Sequence, residues 1–135
     1  MEMRTILLAL FVTISSTILG QDDPPPDIVF VKAEKEPSFP GGEKAWNDYL
    51  IKNLDANTPV KNGCPPGTFT IYIQFIVGRD STIRDVRALT SHGYGMEEEA
   101  MKLIKKGPKW IPAMQNGFLV SCYRKQPITF VIAKQ

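Results

Sequence analysis

The chain has 135 residues, 43% of them hydrophobic and 22% charged, with a formal net charge of +2. That length allows one domain and no second core, and the apolar and aromatic content excludes a wholly disordered chain. The small net charge gives no global field that would point to nucleic acid or to an anionic membrane.

The N-terminus has the grammar of a secretory signal. Met1 to Arg4 is a short polar opening, and Thr5 to Ile14 is an apolar stretch of h-region length. Ser15, Ser16 and Thr17 follow, Gly20-Gln21 offers a small residue at a cleavage point, and polar sequence begins at once. Residues 1–20 therefore read as a signal peptide. The rival reading is an uncleaved inner-membrane anchor over residues 5–20, which approach the ~17–25 apolar residues of a spanning helix. No Cys stands at the cleavage point, which argues against a bacterial lipid anchor. Export to the periplasm makes disulfides permissible. Cys64 and Cys122 are the only two cysteines. They form either one bridge or two separate thiols, and the sequence leaves both open.

Residues 21–35 read as an acidic, Pro-rich lead-in, extended and solvated over Gln21 to Asp27, with Ile28 to Val31 as a short edge strand. Pro37 to Gly42 (PSFPGG) is turn chemistry. Glu43 to Leu54 is a helix, since Trp46, Tyr49, Leu50 and Leu54 recur at three- and four-residue steps. Asn57 to Gly67 reads as a loop. Thr68 to Val77 is the clearest strand, with Phe69, Ile71, Ile73, Phe75 and Val77 on one face. Gly78 to Ser81 makes a hairpin turn, and Thr82 to Thr90 returns with Ile83, Val86 and Leu89 as its apolar members. Met96 to Lys106 is a second helix with acids in its first turn and lysines at its end, matching the dipole at both termini. Trp110 to Met114 runs extended, Gln115-Asn-Gly117 turns, and Leu119 to Ile132 is the last strand, with Cys122 on the inward parity of Val120, Ile128 and Phe130.

Helix, strand, strand, helix, strand is an α+β order, a two-layer sandwich of two helices on a three-stranded antiparallel sheet. A helical crossover makes the second and third strands run the same way. The third strand then lies beside the first, giving order 2-1-3 with the C-terminal strand at an edge.

Few residues could carry chemistry. His92 is the sole histidine, beside a glycine turn, with no nucleophile or orienting partner apparent. The G-x-S-x-G, H-E-x-x-H, G-x-x-x-x-G-K and G-x-G-x-x-G motifs are absent. Glu97 to Glu99 reads as a solvated helix face and not a metal site, because neighbouring helical side chains fan outward. The reading is a non-enzyme with no metal and no cofactor. From Met101 onward there are seven basic residues and no acid. A basic edge strand bearing Arg124, Lys125 and Pro127 is guarded against self-pairing, yet it is also what strand addition of an extended peptide requires.

Gly93 to Gly117 (GYGMEEEAMKLIKKGPKWIPAMQNG) with Tyr123 to Phe130 (YRKQPITF) resembles the C-terminal domain of TonB proteins, in the Bacteroidetes-type version that opens with PSFPGG. The similarity runs over residues 36–132, within a domain placed at 36–135. It implies a periplasmic module, linked to TonB-dependent transport, that binds the TonB box of an outer-membrane receptor as an added strand. Carried onto this chain, the partner-binding edge is Val120, Ser121, Cys122, Tyr123, Arg124, Lys125 and Gln126. The family's D-G hairpin turn is Asp80-Ser81 here, and Ala56-Asn-Thr-Pro59 stands where a Tyr-Pro pair is often found. Only about 16 residues separate Gln21 from Pro37, spanning ~50 Å when extended, which is short for an energy-transducing arm. The competing expectations are an anchored accessory transducer and a self-associating envelope protein that forms a homodimer through its edge strands.

Overall fold

The computed structural model describes residues 26–134; the expected signal segment and Gln21 to Pro25 lie outside the described residues. Five strands and three helices follow in the order β1 (Val29–Phe30), α1 (Gly42–Asn53), α2 (Thr58–Lys61), β2 (Gly67–Val77), β3 (Ile83–Ala88), α3 (Met96–Lys105), β4 (Ala113–Gln115) and β5 (Phe118–Ile132).

β2 and β5 are the centre of the sheet. They pair antiparallel from Gly67↔Ile132 to Val77↔Cys122, and β3 lies antiparallel on the far side of β2. The expected order, β3-β2-β5, is therefore present. The expected sheet of three antiparallel strands needs correction: β1 adds parallel to β5, and β4 pairs with its N-terminal end, so the sheet is mixed and has five strands. A two-residue parallel strand has too few residues to show a period, so its pairing is set by tertiary contacts alone.

One face of the sheet carries the main core. Ile71, Ile73, Phe75 and Val77 of β2 pack with Ile128 and Phe130 of β5 against Met96, Ala100, Leu103 and Ile104 of α3, with Trp46 of α1. A small second cluster holds Ala33, Ala113 and Cys122. Ala33 is buried there, so the packed unit starts before residue 36. Cys64 lies in the main cluster and Cys122 in the second, both as buried free thiols. Of the two readings open for the cysteines, the structure has the separate thiols. Burial holds the Cys122 thiol above its ordinary range.

Several local features depart from the simple pattern. The spacing of Ile83 and Val86 is three, not two, because the pairing slips between Gln74↔Arg87 and Ile76↔Arg84. Asp85 sits at the slip with φ 52°, a bulge that turns Val86 back to the core side of Ile83. Beyond it Ala88 takes the inward place, and Leu89 is exposed. The segment expected as a loop contains α2, because Pro59 stands in the first turn, where a missing N–H is harmless.

The acidic run is a solvated face only in part: Glu98 is exposed and Glu99 half-buried. Glu97 is buried, its Oε1 accepting the N–H of Gly93 at 3.0 Å while Gly93 accepts the N–H of Met96. Glu99 accepts the N–H of Asp55 at 3.0 Å and ties the α1–α2 connection to α3. Gly95, at φ 77°, starts α3 in a left-handed conformation, and a Cβ there would stand 2.9 Å from Cγ2 of Thr58. Asn116 (φ 50°) and Gly117 (φ 78°) form the tight turn between β4 and β5, the two-residue hairpin that an Asn-Gly pair favours.

Candidate functional site

Along β5 the side chains alternate. Cys122, Gln126, Ile128, Phe130 and Ile132 are buried on the helix side, with Arg124 half-buried among them. Lys125, Pro127, Thr129 and Val131 are exposed on the open face, where Tyr123 is half-buried. Lys125 lies over the ring of Tyr72, 5.0 Å from its centroid.

Backbone direction follows from β2. The carbonyl of Tyr72 accepts the N–H of Leu89 at 2.8 Å, so the backbone groups of Tyr72 serve β3. Its partner in β5 is Pro127, and that pair is not hydrogen-bonded. The nitrogen of Pro127 therefore points away from β2. By the same alternation the N–H groups of Tyr123, Lys125, Thr129 and Val131 point outward, while those of Arg124, Gln126, Ile128 and Phe130 bond β2.

The N-terminal part of that edge is already covered. Val120 pairs with Ala113, and Ser121 and Cys122 pair with Val29 and Phe30. A clasp holds β1 in place. Asp27 accepts a very short hydrogen bond from the Ser121 hydroxyl and an ion pair from Arg84 at 3.0 Å. The Ser121 hydroxyl bond, with Arg84 second, holds the Asp27 carboxyl below the usual carboxylate range. Ser121 Oγ also accepts the N–H of Arg79 at 3.0 Å. The strand expected to be an edge along its whole length is therefore an edge only from Tyr123 onward. Among the described residues, no strand pairs with that stretch on its outer side.

A groove of about 630 Å³ runs beside the open stretch, between β5 and α1. Phe39, Trp46 and Leu50 wall it on one side, and Arg124, Gln126 and Ile128 on the other, over Trp110. Its floor is an aromatic cluster: Trp110 meets Phe75 at 5.0 Å, Trp46 at 5.5 Å and Phe39 at 5.6 Å between ring centroids. The PSFPGG element is explained by this cluster, since it delivers Phe39 into it and then turns into α1. Arg124 stacks over Trp110 at 5.7 Å, donates to the Pro37 carbonyl at 3.2 Å, and donates to Gln126 Oε1 at 3.0 and 3.3 Å.

Residues 70–132 match the family model described as the Gram-negative bacterial TonB protein C-terminal. This stretch belongs to the TonB C-terminal family. No curated protein and no solved structure matches the chain. The matched TonB C-terminal segment runs from β2 to the end of β5, so it contains the open edge but not β1, α1 or the PSFPGG element. The family is one of non-enzymatic protein-interaction domains of the Gram-negative envelope, related to transport. Among the described residues, no helix is long and apolar enough to cross a membrane.

Of the seven residues picked out from the sequence, Val120, Ser121 and Cys122 are engaged by the chain itself, and Tyr123, Arg124, Lys125 and Gln126 remain on the open edge. Helical spacing assigns Trp46 and Leu50 wholly to the core, so the sequence pattern does not mark them, or Trp110, as groove lining. The W-x-P-A motif at Trp110 was the one signal that could have drawn attention there. His92 stands apart from the groove; its Nε2 lies 3.1 Å from the Thr70 carbonyl and its ring meets Phe69 edge-on at 5.7 Å. Ser81 adopts φ 72° in the turn where the TonB family often has glycine. Asp80 compensates by accepting bonds from both the N–H and the hydroxyl of Thr82.

Proposed function

We propose that this chain is an exported, periplasmic binding module of TonB C-terminal type. It takes an extended segment of an outer-membrane transporter, or of another envelope protein, as a strand added to β5. The observation that carries this reading is the open edge from Tyr123 to Val131 lying beside a groove with aromatic walls. Strand addition needs two things: unpaired outward backbone groups for affinity and side-chain pockets for selection. Both occur here on one edge. The opposite edge, β3, is short and bulged at Asp85, a device that discourages pairing.

In this reading residues 1–20 are the signal, and β1 ends the partner's track at Cys122. The test is calorimetric titration with peptides from the periplasm-facing segments of TonB-dependent receptors. Saturable binding with a dissociation constant of about 1 mM to 1 µM is expected for a short strand on one edge. Absence of binding at millimolar peptide, together with a concentration-dependent dimer, would instead favour self-association through the same edge.

A further inference from the structure

We propose that β1 is a displaceable cover on the edge of β5. The chain's own segment Asp27 to Val31 closes that edge at Ser121 and Cys122, and it leaves when a longer added strand takes those positions. The inference rests on strand addition at β5 and names how that site is regulated.

Cover and open stretch belong to one edge. β1 pairs parallel with β5 at Val29↔Ser121 and Phe30↔Cys122, and the stretch without a strand partner begins at Tyr123. By the alternation along β5, Ser121 is the next residue whose backbone groups face outward, and β1 takes them. Those groups serve one strand at a time, so β1 and an added strand exclude each other there. The hold on β1 is slight. Ile28 and Val31 at its two ends are 62% and 82% exposed, and Val29 and Phe30 are half-buried. Phe30 reaches only the small cluster of Ala33, Ala113 and Cys122, and among the described residues the main core takes none before Phe39. What remains is the clasp, in which the Asp27 carboxylate meets the Ser121 hydroxyl and Arg84. Both members of that ion pair are partly exposed, so solvent screens it.

Firm attachment resumes at Glu34. Its N–H donates to Gln115 Oε1 at 2.9 Å, and its carboxylate accepts from Gln115 Nε2 at 3.0 Å. Lys35 and Met114 then exchange two backbone bonds. Residues 27–32 can therefore leave β5 ahead of these ties, with α1, α3 and the centre of the sheet undisturbed. Opening of this kind is local, exposes little surface and costs far less than unfolding the domain. With β1 in place the partner's track ends at Cys122; with β1 released it runs on through Ser121.

The test is amide exchange of the full chain, with two capped peptides of alternating Thr and Val as probes. One has nine residues, to match Tyr123 to Val131, and the other has eleven, to reach Ser121. In the free wild-type chain the Ser121 amide should exchange about a hundredfold faster than that of Ile128. Its rate should barely change with urea below the unfolding transition, since little surface opens. Asp27→Ala and Arg84→Ala, on the two sides of the clasp, should each speed Ser121 about fivefold, the weight of a screened ion pair. The eleven-residue peptide should bind both variants about fivefold tighter than the wild type and strip protection from β1. The nine-residue peptide should bind all three chains within about twofold. A Ser121 amide as slow as Ile128, with the same steep urea dependence, would make β1 a fixed part of the fold. That result would overturn the cover and leave strand addition at Tyr123 to Val131 intact. Variants that speed Ser121 without favouring the longer peptide would overturn the competition between β1 and an added strand. Failure of both peptides at millimolar concentration would overturn strand addition at this edge, and the regulatory role of β1 with it. The exchange comparison uses the wild-type chain and does not depend on either variant folding.

Discussion

Pro127 offers a sharp test of which way the β5 backbone points. Its nitrogen is directed outward, because its partner Tyr72 bonds β3. Pro127→Ala therefore adds no bond to β2. It costs the folded state only the rigidity that proline removes from the unfolded chain, about 0.4–1 kcal/mol. What it adds is an outward N–H between those of Lys125 and Thr129, filling a gap in the row of donors. One further net hydrogen bond to an added strand is worth about 0.5–1.5 kcal/mol, or about two- to tenfold in affinity. Gln126→Pro is the contrasting change. The N–H it deletes faces Ile73 inside the sheet, and a stranded buried carbonyl costs about 1–3 kcal/mol before any steric cost. Urea unfolding of the three proteins, with peptide titration of the wild type and Pro127→Ala, separates these effects. A Pro127→Ala variant that gains more than about 1 kcal/mol in stability, with no gain in peptide affinity, would refute the assignment, since that is the signature of an N–H restored to β2.

Three other outcomes follow from named contacts. Trp110→Ala should lower stability by about 3–5 kcal/mol, because Trp110 is buried and holds Phe39, Trp46 and Phe75 together; thermal unfolding by circular dichroism measures it. Gly95→Ala should cost about 2–3 kcal/mol from the left-handed backbone and the contacts with Thr58 and Asn62, and adding Thr58→Ser should recover only the Thr58 share of the steric part; urea unfolding measures both. Asp27→Asn tests the clasp through pH. The folded carboxyl lies below its unfolded value, so its stabilisation is present above an unfolded pKa of about 3.9 and is lost as pH falls through the lower folded value. The wild-type advantage, about 1 kcal/mol or less because solvent screens the pair, should be flat from about pH 5 upward and shrink below about pH 4.

The parts of the fold that are legible in the sequence are those whose signal is local. β2 shows strict alternation, α3 shows its apolar stripe and charged ends, and Asn116-Gly117 marks a two-residue hairpin; each stands where the pattern places it. The slip at Asp85 was visible as the odd spacing of Ile83 and Val86, but a bulge is recognisable only once the partner strand is known. β1 on Ser121 and Cys122, and the Asp27–Ser121 clasp, join segments about ninety residues apart and leave no periodic trace. The same holds for two glutamates: Glu97 is buried and Glu99 half-buried by what packs over them, which their position on the helix does not show.

For the site, the parity that places Cys122 inward extends to Arg124 and Gln126, and proline and basic residues mark an edge. It could not show that β1 and β4 cover that edge up to Cys122. Nor could it show that α1 stands off β5 far enough to leave a groove.

Amide hydrogen exchange along β5, measured with and without a receptor-derived peptide, tests the central claim most directly. The account predicts new protection at Tyr123, Lys125, Thr129 and Val131, whose N–H groups face outward. Arg124, Gln126, Ile128 and Phe130 should be slow in both states, because they already bond β2. Protection that appears instead on the outer edge of β3, or bound peptide with no change along β5, would contradict it.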